Sequence, residues 1–153
     1  MPNTYTQIHI HVVFAVKYRS SVIDNSFEKR LYNYIIAIIC RNGHKVLAIG
    51  GTGDHIHILI GLRPTEALSS LMNEVKRDSS LWINAHHLTK CYFQWQSGYG
   101  AFSVSKSHVD RVVKYILNQK THHSEKLFGE EYVEILRRSD IPFDEKYLFR
   151  PLE

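Results

Sequence analysis

Two stretches of this chain alternate with a period of two on either side of a stretch that repeats at three and four, which restricts it to a sheet with helices packed on it. Residues 7 to 16 put Ile8, Ile10, Val12 and Phe14 on one side and His9, His11 and Val13 on the other, as in a strand with one buried face. From about Asp24, an N-cap residue type, Phe27, Leu31, Tyr34, Ile35, Ile38 and Ile39 recur at helical spacing until Asn42-Gly43 supplies a stop. Val46 to Ile49 and His55 to Ile60 then read as a hairpin around the turn Gly50-Gly51-Thr52-Gly53-Asp54. Pro64 and Thr65 open a second helix with Leu68, Leu71, Met72 and Val75 on one stripe and Lys76 and Arg77 on its open side. Of the β-prone runs Tyr92 to Gln96 and Gly100 to Val104, at least one joins the sheet. A third helix, capped by Ser105 or Ser107, buries Val109, Val112, Val113 and Ile116 and leaves Arg111, Tyr115, Gln119 and His122 on a different face. A short helix from Glu130 to Arg138 and an apolar tail with Phe143, Tyr147, Leu148 and Phe149 follow. This order predicts an α/β (α+β) fold: a ferredoxin-like antiparallel sheet with helices on one face plus an added C-terminal helix.

The 153 residues suit one domain spanning 1–153, with about 124–153 as a C-terminal helix and tail. A formal charge of +4 is a mild bias toward a polyanionic partner. Cys40 and Cys91 have no metal-binding spacing and read as reduced core thiols. No basic segment precedes an apolar one at the N-terminus, and no eighteen uncharged apolar residues run together, so a cytoplasmic protein without a membrane span is expected.

His55-Ile56-His57 projects two imidazoles from one face of a strand while Ile56, Ile58 and Ile60 fill the other. Ten histidines in 153 residues give roughly 0.6 such pairs by chance, and His9-Ile10-His11 is a second one, so spacing alone does not mark a metal site. Context favours the first pair, which follows a glycine-rich turn on a strand whose opposite face is wholly aliphatic. Tyr115 and Gln119, one helical turn apart, can bring a phenol and an amide oxygen to one small volume. Two imidazoles and an amide carbonyl form an uncharged donor set that suits Mg²⁺ or Mn²⁺ better than zinc and leaves the cation's Lewis acidity intact for a phosphate. On spacing alone, Tyr115, one of nine tyrosines, reads rather as an ordinary half-exposed helix tyrosine.

Lys17-Tyr18-Arg19, Asp54-His55-Ile56-His57-Ile58-Leu59, Gln96-Ser97-Gly98-Tyr99-Gly100-Ala101-Phe102-Ser103-Val104, Tyr115-Ile116-Leu117-Asn118-Gln119 and His122-His123 together resemble the single-tyrosine HUH transposases of small insertion sequences, including their REP-associated relatives. The segments are collinear over nearly the whole chain. The resemblance implies that His55, His57 and Gln119 hold a divalent metal, Mg²⁺ or Mn²⁺, and that Tyr115 is the nucleophile. It also implies cutting and rejoining of hairpin-bearing single-stranded DNA through a 5′-phosphotyrosine, by a homodimer. The covalent link conserves the phosphoester bond, so no nucleotide cofactor is needed. For phosphates the candidates are Lys17, Arg19, Lys76, Arg77, Lys106, Arg111 and Lys114, and for base stacking Tyr99, Phe102 or Trp95. A rival reading is a non-catalytic ferredoxin-like nucleic-acid-binding module, which Gly98-Tyr99-Gly100-Ala101-Phe102 echoes with one residue too many. A third keeps the chemistry in a domesticated or replication-type endonuclease.

Overall fold

A computed structural model describes residues 3–122, 128–139 and 141. Strands β1 (His9–Ala15), β2 (Lys45–Gly51), β3 (His55–Gly61) and β4 (Gly100–Val104) form one sheet in the order β2-β3-β1-β4. Every pairing is antiparallel. Helix α1 (Glu28–Arg41) connects β1 to β2, and α2 (Leu68–Ala85) connects β3 to β4. This is the ferredoxin-like arrangement expected from the sequence. The chain continues through α3 (Val109–Leu117), the short α4 (Gln119–His122) and α5 (Phe128–Arg138). The tail residues Phe143, Tyr147, Leu148 and Phe149 lie outside the described residues. Among the described residues, no helix is long and apolar enough to cross a membrane.

Alternation decides what each face carries. Val12 and Phe14 of β1 and Ile56, Ile58 and Ile60 of β3 are wholly or almost wholly buried against Leu31, Ile35, Leu71, Met72 and Val75 of α1 and α2. Each such side chain stabilises the fold by about 1.5–3 kcal/mol, enough to hold the register of both central strands. The expectation of a single buried face on β1 needs correction, because His11, Val13 and Ala15 on the reverse are buried too. The reverse is covered by α3, whose Ile116 meets Ala48 and Leu59 with Val109, Val112 and Val113 alongside. Tyr132 of α5 packs there against Val13 and Ala15.

Several local expectations shift. Gly50 and Gly51 belong to β2, and the turn is Thr52–Asp54. Helix α2 begins at Leu68 rather than at Pro64-Thr65. Asp24 opens a turn ahead of α1, its Oδ1 accepting from the Ser26 amide at 2.9 Å, but the helix itself starts at Glu28. Neither Ser105 nor Ser107 caps α3: residues 106–108 form a 3-10 turn, and both hydroxyls face His108 Nδ1. Cys40 and Cys91 are free thiols but exposed, not core. Gly43, just beyond α1, has φ 88°, the left-handed conformation with which helices commonly end.

Candidate active site

The site lies on the reverse face of the sheet, at the end where β3 begins. Antiparallel pairing sets Ala15 opposite His55 and Val13 opposite His57, so the histidines of β3 and His11 of β1 project toward the same side. His55 and His57 are wholly buried. Burial of two imidazoles demands partners, and both have them. His55 Nδ1 lies 2.7 Å from Asp54 Oδ1, an oxygen that also accepts from Thr52 Oγ1 at 2.8 Å. Because a carboxylate only accepts, His55 donates from Nδ1, and in the neutral ring Nε2 carries the lone pair. His57 Nδ1 lies 2.8 Å from His11 Nε2, and His57 Nε2 lies 3.3 Å from Glu131 Oε1 of α5.

Gln119 completes the group from above. Its Nε2 donates to the Tyr115 carbonyl at 3.2 Å, which turns its Oε1 toward His55 Nε2 at 3.1 Å. The predicted continuous helix across these residues is interrupted: α3 ends at Leu117, and Asn118 (φ −100°, ψ 19°) separates it from α4. Gln119 is almost wholly buried. The Tyr115 ring stands 5.5 Å from that of His57 and 6.1 Å from that of His11, centroid to centroid. The Tyr115 ring, the imidazoles and the Gln119 amide are thus neighbours on this face.

His55 Nε2 and the Gln119 amide oxygen converge to 3.1 Å, an imidazole nitrogen and a hard oxygen that a divalent cation could bind together. That separation is also close to the ~3.0 Å between neighbouring ligands of an octahedral ion bound at about 2.1 Å. Ligand atoms of His55, His57 and Glu131 all fall within 4.8 Å of one another. The residues therefore fit a hard divalent cation.

Glu131 was not found by reading the sequence, and no pattern on its short helix distinguishes it. Burial first, then the charges of Asp54 and Glu134, push its carboxyl from 4.5 up to about 8. Folding favours the protonated acid, so Glu131's contribution to stability is fully present below about pH 4.5 and is lost as the pH climbs through about 8. In metal-free protein, the stability of the wild type relative to Glu131→Gln should therefore fall across that window. Urea midpoints of both proteins at the two ends of the window check this, and parallel profiles would refute it. His11 shifts the other way: burial lowers it to about 4, leaving a neutral ring at neutral pH.

A cavity of about 540 Å³ opens beside the group, lined by His11, Arg111, Tyr115, Asn118, Glu131 and Arg138 among others. Of the basic candidates, Arg111 reaches this cavity, while Lys106 and Lys114 are exposed around α3. Lys17 and Arg19 follow β1 at the His55 end of the sheet, with Lys17 Nζ donating to Gln94 Oε1 at 3.1 Å. Arg77 is exposed and paired with Asp78. Lys76 is not on an open side: half-buried, it donates to the carbonyls of Gln96 and Gly98 at 2.8 and 2.7 Å and pins that loop. Trp95 is unsuited to stacking bases, being buried with its Nε1 donating to Ser79 Oγ at 2.9 Å and its ring against Phe14 and Phe93. Tyr99 is exposed, whereas Phe102 is partly covered and meets His11 edge-on.

A four-stranded antiparallel sheet carrying a buried histidine pair beside a helix tyrosine defines an α/β protein with a candidate active site on one face of the sheet, and comparison with known proteins gives its family. Residues 4–119 match the family described as transposase IS200 like, and the chain belongs to that family of tyrosine transposases. It is 25% identical over 118 residues to the ISDra2 transposase TnpA of Deinococcus radiodurans, covering 74% of this chain and 84% of that protein. In fold it resembles the crystal structure of a Deinococcus radiodurans R1 protein described as a transposase, with TM-score 0.61, 23% identity, and coverage of 76% of this chain and 94% of the other. It also resembles a REP-associated tyrosine transposase bound to a REP hairpin, with TM-score 0.59, 18% identity, and coverage of 93% and 90%.

Proposed function

We propose that this transposase cuts and rejoins single-stranded DNA with Tyr115 as nucleophile, at a site where His55, His57 and Gln119 hold Mg²⁺ or Mn²⁺. The observation that carries the reading is the convergence of His55 Nε2 and Gln119 Oε1, 3.1 Å apart, beneath a phenol ring 5.5 Å from that of His57. Glu131 offers a further oxygen donor. When bound, the cation would polarise the scissile phosphate and offset charge that builds up on it. Tyr115 Oη attacks phosphorus, the bond from phosphorus to the 3′ oxygen breaks, and a 5′-phosphotyrosine and a free 3′-hydroxyl result. The phenol, ordinarily ionising near pH ~10, gives up its proton in that step, and the departing 3′ oxygen gains one. Attack by another 3′-hydroxyl on the phosphotyrosine reverses the chemistry and seals a new junction. Arg111, on the cavity wall, would offer its guanidinium to a backbone phosphate.

The similar REP-associated tyrosine transposase, whose structure is bound to a REP hairpin, supports folded-back single strands as the substrate, and a second copy of this chain is the proposed partner. The test is direct. Purified protein incubated with hairpin-bearing single-stranded DNA and Mn²⁺ or Mg²⁺ should yield a protein–DNA adduct that survives denaturing electrophoresis and is absent with chelator. Binding without any adduct, across substrates and both metals, would leave a DNA-binding module instead.

A further inference from the structure

The two metal-site histidines are held by different means. His55 leans on the Asp54 carboxylate, whereas the partner of His57 is another imidazole, His11, at 2.8 Å. We propose that His11 is a positioning residue for the cation site: its Nε2 accepts the Nδ1 proton of His57 and thereby presents the lone pair of His57 Nε2 to the cation. This rests on the metal-dependent reading above.

The geometry points one way. His11 and His57 lie on adjacent antiparallel strands, His11 opposite Leu59 and His57 opposite Val13, so they are diagonal neighbours on one face. Their rings stack at 5.1 Å and 28°. His11 is itself clamped, edge-on to Phe102 of β4 at 6.2 Å and to Tyr115 of α3 at 6.1 Å, and is 7% exposed. Glu131 approaches the opposite nitrogen of His57, the side from which a cation would be bound. Ligating histidines almost always donate their second N–H to an acceptor that fixes tautomer and ring angle, and at His57 Nδ1 that acceptor is His11. The pair His9 and His11, a chance repetition by composition, thus contains one residue with a role.

Three proteins test this with Mn²⁺ alone as the probe: wild type, His11→Leu and His11→Gln, with affinity measured by electron paramagnetic resonance of free Mn²⁺. His11→Leu should bind about 10–100-fold more weakly, the usual cost of losing such an orienting partner. His11→Gln, which keeps an acceptor at similar reach, should recover most of that loss. Equal affinity of wild type and His11→Leu would overturn the proposal. Failure of the wild type to bind Mn²⁺ at all would sink the metal reading, and this inference with it. Nitrogen-15 spectra of histidine-labelled wild type with Mg²⁺ need no variant: the expected state of His57 is a protonated Nδ1 and a bare Nε2. A proton on Nε2 in the loaded protein would refute the assignment even if His11→Leu failed to fold.

Discussion

Tyr115→Phe is expected to abolish the covalent protein–DNA adduct, with a loss on the order of 10⁴-fold or more, while DNA binding stays within a few-fold of the wild type. The change removes one oxygen and keeps the ring, so its edge contacts with His57 and His11 persist. Gln119 also keeps its hydrogen bond to the Tyr115 backbone carbonyl, which the substitution leaves in place. Denaturing gels for the adduct and a gel-shift assay on the same hairpin substrate separate the two effects. Undiminished adduct in the variant would move the nucleophile to another residue.

Gly50→Ala should cost about 100-fold in adduct formation, although Gly50 is a backbone position on β2, opposite His57 in the sheet. A β-carbon there would stand 2.3 Å from the Ile116 carbonyl oxygen. The obstacle is backbone, with no flexible end to fold away, so α3 must retreat by roughly 1 Å to regain ordinary contact. Displacement of that size in a catalytic group costs about 10²-fold, and overpacking should lower stability by about 1–3 kcal/mol. Gly61→Ala is the control, since its added carbon would meet Lys45 Cβ and Leu47 Cδ1 at 3.4 and 3.5 Å. Single-turnover adduct formation measured beside urea denaturation distinguishes a displaced helix from an unfolded protein. A fully active Gly50→Ala variant would show that the contact does not set the position of Tyr115.

The sheet and the two helices on its first face, α1 and α2, could be read from residue order because their signals are local: alternation fixes which side of β1 and β3 faces the helices, and the stripe through Leu68, Leu71 and Val75 fixes α2. For His55, His57, Tyr115 and Gln119, spacing offered only two local pairs, one on a strand face and one on a helical turn, and it was the family resemblance that joined them into one candidate site. His11 and Asp54 were also visible as residues, but their duties depend on which strands are neighbours and in what register, information that arises only on assembly. The break at Asn118 was hidden because its residues suit a continuous helix. Glu131 was out of reach: it approaches His57 across 74 positions of chain, through the docking of a helix whose own pattern says only that it is amphipathic. Lys76 and Trp95 show the converse error, since a cation and an aromatic ring look alike in sequence whether they await a ligand or hold a loop and a core together.

Coverage of the sheet on both sides has a consequence for shape. In many ferredoxin-like proteins one side of the sheet is an open table on which a ligand can lie flat; here α3 and α5 roof that table over. Tyr115 is therefore approached through the cleft between these helices, walled by Val112 and Asn118 on one side and by Glu134 and Ile135 on the other, and not across a bare sheet surface.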